Sequence, residues 1–185
     1  EADKLPVIID DSLAAIEVFA PDAYKTKTFS GVLAIEALVS KSLNKEPDLD
    51  GIIAFCCNSE TSTACSPSSA ALAYYATTKG LTAYVDSYSV PDLIRAVSAP
   101  QQIVCKMDNG YILAIGNDED NIIAILPENG EQINIPFSEF KKLTEVIIVD
   151  SNLYTPEIVE SIVPEHSNIR PGKVVDKKKY IVIHN

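Results

Sequence analysis

From residue 90 to residue 149, short apolar runs alternate with turn signals at regular intervals. Two runs on either side of Asp108-Asn109-Gly110 form a hairpin signal, because Asn-Gly supplies the positive φ that tight turns demand. A third run covers residues 121–126 after the polar turn at 116–120, and a fourth covers 132–135 after Pro127-Glu-Asn-Gly130. After Pro136, residues 137–143 predict one or two helical turns, and residues 146–149 predict a closing strand. The pattern predicts a meander of about five antiparallel strands.

Upstream, the apolar period changes from two to about 3.6. Val32, Leu33, Ile35, Leu38 and Val39 share one face of a helix predicted over residues 30–43, with Gly31, Ala34 and Ala37 small enough for close approach to a sheet. Residues 49–57 are compatible with helix or strand. A second helix is expected with Ser66 as N-cap and Pro67 at its first position, ending at Gly80. A strand follows over 81–85 and a short helix over 90–97. Weaker signals place a strand or arm at 5–9, a brief helix at 13–19, a helix at 154–163 with Thr155 as cap, and a last strand at 180–183.

Composition narrows the class. The 185 residues are 46% hydrophobic, enough for one domain with its own core. A formal charge of −11 argues against nucleic acid, since phosphate neutralisation needs clustered Lys and Arg; Lys177-Lys-Lys179 reads as a solvated strand entry. No apolar run approaches the ~20 residues of a membrane span and no signal peptide is visible. A chain that starts at Glu1 reads as an excised fragment or a processed product. Cys56, Cys57, Cys65 and Cys105 lack the paired spacing of a zinc site, so they read as small apolar side chains in a reducing cytoplasm. The acidic turn Asp118-Glu119-Asp120 lacks the ligand spacing of a calcium loop, and no glycine-rich phosphate loop is present. No cofactor or metal is expected.

The residues themselves offer little for catalysis. Only His166 and His184 are available as bases, both in the loosely patterned C-terminal segment.

The order of elements, together with Gly80-Leu-Thr-Ala83, Val90-Pro-Asp-Leu-Ile94, Ala99-Pro100, Asn109-Gly110, Pro127, Gly130 and Phe137-Ser-Glu-Phe140, resembles the bacteriocin-processing (double-glycine leader) cysteine peptidases. The similarity covers roughly residues 28–150. It implies an α+β, papain-like fold with N-terminal helices packed on an antiparallel β-meander. It also implies a peptidase-like domain at 1–150 and a C-terminal extension or linker at 151–185. In that family the nucleophile is a Cys before Gly at the start of the first long helix, the base is a His after Asn-Gly, and the third member is an Asp before Pro. The matching positions here are Ser30, Tyr111 and Leu126, and the oxyanion-hole glutamine falls near Tyr24.

These replacements argue against the reaction. Ser30 without a base keeps its proton, Tyr111 cannot replace an imidazole as the base, and Leu126 can orient nothing. The resemblance therefore implies a domain that is not an enzyme and that binds a secreted protein or leader peptide. Such domains accompany the transmembrane and nucleotide-binding domains of type I secretion ABC transporters, at the cytoplasmic face of the bacterial inner membrane. Tyr24, Ser30 and Tyr111 are the expected substrate-binding residues. Two alternatives stay open: a thiol hydrolase using Cys56, Cys57 or Cys65 with His166, and a structural module of a secretion assembly.

Overall fold

The computed structural model describes residues 8–9, 22–57, 65–99 and 101–153. All of them lie in the first of two compact units, Glu1–Tyr154 and Thr155–Asn185. The expected elements at 13–19, 154–163 and 180–183 lie outside the described residues.

Four helices and seven strands follow one another along the described residues. They are β1 (Ile8–Ile9), α1 (Ser30–Leu43), α2 (Leu49–Cys57), α3 (Ser69–Thr78), β2 (Leu81–Tyr88), α4 (Val90–Val97), β3 (Gln102–Met107), β4 (Gly110–Asn117), β5 (Asn121–Ile125), β6 (Gln132–Pro136) and β7 (Thr144–Leu153). Residues 49–57 are helical, which resolves the ambiguity in their pattern. The α3 helix starts later than its sequence suggests. Ser68, not Ser66, is the N-cap, with its side chain accepting from the Ala71 N–H, so Pro67 precedes the cap. Ser89 closes a capping box with Asp92 at the start of α4.

The sheet order is β2-β7-β3-β4-β5-β6, with β1 pairing to β4 near Gly116. Thus β3 to β6 form the meander, but the last strand does not extend it. Instead β7 crosses back and inserts between β3 and β2, antiparallel to both. The insertion satisfies two strand edges at once and makes Val146, Ile147, Ile148 and Val149 the most enclosed strand segment, each fully buried.

Both faces of the sheet are covered, which explains apolar runs that do not alternate. On one face α1, α2 and α3 pack over Val104, Leu113, Ile115, Ile123, Ile125, Ile147 and Val149. On the other, Leu93, Ala96 and Val97 of α4 cover Ile103, Cys105, Ile112, Ile122, Val146 and Ile148. Each fully buried aliphatic side chain contributes about 1.5–3 kcal/mol relative to exposure. The layers hold the N-terminus of α1 against the β3–β4 hairpin, and that junction makes the site.

Candidate functional site

At the hairpin, Met107 pairs with Gly110 across the two residues Asp108 and Asn109. Gly110, at φ 143°, carries the positive φ; Asn109 does not. A Cβ on Gly110 would stand 2.5 Å from Ser30 Oγ and 2.7 Å from the Lys27 carbonyl oxygen. Glycine is therefore needed for its conformation and for the close approach of α1.

A 3₁₀ turn at Lys27–Phe29 runs directly into α1, so Ser30 sits where helix and turn meet. Its hydroxyl donates to the Lys27 carbonyl at 2.7 Å and accepts from the Tyr111 N–H at 2.7 Å. The pairing of β4 with β5 stops at Leu113 and Ile125, two residues short of Tyr111. Ser30 supplies the partner that β5 does not reach. The side chain is 1% exposed, and its only proton is already committed.

Tyr111 turns its ring into the core between α1 and α3. The ring lies over Gly31, where an added Cβ would meet Tyr111 Cδ2 at 2.7 Å and Leu72 Cδ1 at 2.8 Å. The hydroxyl reaches the Pro67 carbonyl and Ser69 Oγ, both at 3.1 Å. Ser69 donates to Glu145 in a short hydrogen bond, so its Oγ accepts from Tyr111, whose single proton is shared between Ser69 and the Pro67 carbonyl. Lys106 Nζ stands 3.0 Å from the same Glu145 oxygen and completes a chain from core to solvent. Hydrogen bonds from Ser69 and then Lys106 hold the Glu145 carboxyl below its ordinary range.

A pocket of about 250 Å³ opens beside this junction, lined by Lys27, Ser30, the hairpin residues Met107 to Ile112, Leu126, Glu128 and Glu139. It brings together Ser30, Tyr111 and Leu126, three positions far apart in the chain. Glu128 keeps one carboxylate oxygen buried and without a hydrogen-bond partner. Asp108 at the rim is paired with Lys141 at 2.5 Å. Among the described residues, no histidine or cysteine lines the pocket. Tyr24 is not among the lining residues; its ring packs edge-on against Phe29 at 5.1 Å, on the core side of the turn.

Lys27, Glu128, Glu139 and the Ser69–Glu145–Lys106 chain escaped sequence reasoning. Lone charged residues in loops and strands carry no local signal of where they converge. Asn109-Gly110 was the one legible marker of this place.

The cysteines differ from expectation. Cys57 and Cys65 form a disulfide with Cα atoms 5.6 Å apart, joining the end of α2 to the approach of α3. Cys56 and Cys57 both lie in α2. The pairing was not readable from spacing, because it depends on α2 and α3 lying side by side. Burial pushes the Cys56 thiol up to about 11 and Cys105 to about 12, so neither holds a thiolate at neutral pH. Among the described residues no cluster of His, Cys, Asp or Glu has the geometry of a metal site. No described helix is long and apolar enough to cross a membrane.

The chain shares its fold with a double glycine motif protease. That solved structure, from an AMS/PCAT transporter and in complex with the leader peptide, superposes with a TM-score of 0.54. It is 15% identical and covers 79% of this chain and 100% of its own. No protein-family model matches the chain, and no curated protein matches it. The α+β, papain-like arrangement expected from the sequence is thus the arrangement observed.

Proposed function

We propose that this chain is a catalytically inactive peptidase-like domain that binds a secreted protein or leader peptide as part of a type I secretion ABC transporter. The observation that carries this reading is the state of Ser30. The residue at the nucleophile position has its hydroxyl clamped between two main-chain groups, in a pocket whose described lining holds neither imidazole nor thiol. A nucleophile needs a base that can take its proton, and Tyr111, whose ring points into the core and whose hydroxyl is a donor, is not such a base. Leu126 leaves the third position apolar.

What remains is a peptide-sized recess. Its floor is apolar at Met107 and Leu126, and its walls carry Lys27, Glu128 and Glu139. Glu128 and Glu139 put carboxylates on the pocket lining, and a carboxylate oxygen is an acceptor suited to a peptide N–H. The protease of similar fold was solved with a leader peptide, which supports a peptide as the ligand class here. In the transporter setting the domain works beside transmembrane and nucleotide-binding domains on the cytoplasmic side.

The Cys57–Cys65 disulfide bears on that compartment, since the cytoplasm keeps such pairs reduced. Alkylation of the protein in intact cells reads the state directly. Two more alkylated thiols after reduction than before, Cys56 and Cys105 being free in either state, would assign the domain to an oxidising compartment.

The function is tested by titrating the domain with a double-glycine leader peptide and with an unfolded segment of a secreted protein. Saturable binding that shifts the amides of the hairpin and Leu126, without hydrolysis, is the expected result. Cleavage, or no binding of either ligand at millimolar concentration, would defeat the reading.

A further inference from the structure

The sheet ends on β2, and this edge lacks the devices that protect the opposite one. β6 is five residues long and finishes on Pro136, which offers no backbone N–H. β2 is eight residues long, holds no proline, glycine or lysine, and pairs with β7 alone among the described residues. Tyr84, Val85, Asp86 and Ser87 are exposed in succession, while the β7 residues opposite the first three, Ile148, Ile147 and Val146, are fully buried. Tyr84 and Val85 leave 44% and 38% of their surface in water.

Register places these side chains. Val85 is opposite Ile147 and so lies on the face of α1 and α3; Tyr84 and Asp86 are opposite Ile148 and Val146 and lie on the face of α4. Between them run main-chain N–H and C=O groups directed outward, away from β7.

We propose that β2 is a docking edge to which an extended segment of another polypeptide adds as a further strand, with basic and aliphatic residues alternating. Backbone hydrogen bonds supply affinity and the two faces supply selection. Charge decides the partner. Asp86 is exposed, with one carboxylate oxygen accepting from the Ser87 N–H at 2.7 Å, and no basic residue lies in β2. Arg95 of the following helix α4 is already paired with Asp92. A second copy of a chain of net charge −11 meets repulsion at this edge, whereas a Lys or Arg in register with Asp86 meets its complement. In the sheet β7 stands between this edge and the β3–β4 hairpin that lines the pocket, so this inference does not depend on what the pocket binds.

The test is amide hydrogen exchange of the full chain with a blocked heptapeptide of alternating valine and lysine. At saturating peptide, alternate amides of β2 exchange at least about tenfold more slowly. The same peptide N-methylated at alternate residues gives no protection. Asp86→Lys weakens binding about three- to tenfold at low salt, with the melting temperature unchanged. The proposal is overturned by absent β2 protection at millimolar peptide, by equal binding of the N-methylated peptide, or by equal affinity for a glutamate version. A dimer that protects β2 without any peptide overturns it in favour of self-pairing.

Discussion

Replacing Ser30 by alanine separates a structural clamp from a nucleophile. In the native chain one hydroxyl serves the Tyr111 N–H and the Lys27 carbonyl, each at 2.7 Å, with the side chain 1% exposed. Removing it leaves a buried donor with no partner, because β5 ends two residues short. Each orphaned buried group costs about 1–3 kcal/mol. Lys27 is exposed, so water relieves part of the carbonyl's loss, and the sum expected is about 2–4 kcal/mol. With a urea slope of about 2 kcal/mol/M, the midpoint falls by about 1–2 M. Ser30→Cys does not rescue it, since sulfur is too large for two 2.7 Å contacts beside Gly110. The assay is urea unfolding followed by circular dichroism. A change below about 0.5 kcal/mol, within the range of an ordinary surface substitution, would refute the clamp. So would unchanged stability with loss of a hydrolytic activity.

Four further outcomes follow from the structure. Gly31→Ala gains up to about 1 kcal/mol of helix propensity but drives a methyl within 2.7 Å of the Tyr111 ring and 2.8 Å of Leu72, so a net loss of about 1–2 kcal/mol is expected by calorimetry. Burial raises the Glu36 carboxyl above its ordinary value, against hydrogen bonds from Asp48 N–H at 2.7 Å and Tyr75 OH at 2.9 Å. The folded state then holds that proton more tightly than the unfolded state, so its contribution is greatest below the ordinary glutamate range and is lost as pH rises through the folded value. Glu36→Gln flattens that decline in unfolding experiments at several pH values. The depressed Glu145 acts oppositely, its contribution present above the ordinary range and lost in stronger acid. Reducing Cys57–Cys65, which spans a sequence separation of 8, lowers stability by about 2.5 kcal/mol, read as a lower urea midpoint with reductant.

The parts of the fold legible in the sequence were those set by local chemistry. The α1 helix matched its apolar period, α4 its Pro and capping residues, and the hairpins their Asn-Gly and Pro-Glu-Asn-Gly turns. What was not legible depended on distant partners. β7 reads as the next strand of a meander, and only tertiary pairing places it between β2 and β3. Ser66 and Ser68 are equivalent cap candidates by type; the loop held by the disulfide at Cys65 precedes the one that caps. Within the site, family resemblance picked out Ser30, Tyr111 and Leu126, which the fold brings around one pocket, and Tyr24, which it places against Phe29 instead. It gave no hint that Tyr111 would be anchored by Ser69 and Glu145, residues from α3 and β7.

The central claim is that the peptidase fold is kept here for binding while its chemistry is absent. The direct measurement is a single titration of the intact domain with a double-glycine leader peptide, followed at once by amide shifts and by mass spectrometry of the peptide. The account predicts saturable shifts at Gly110, Tyr111, Ile112 and Leu126 with the peptide recovered whole. Cleaved peptide, or a titration that leaves those amides unmoved, would contradict it.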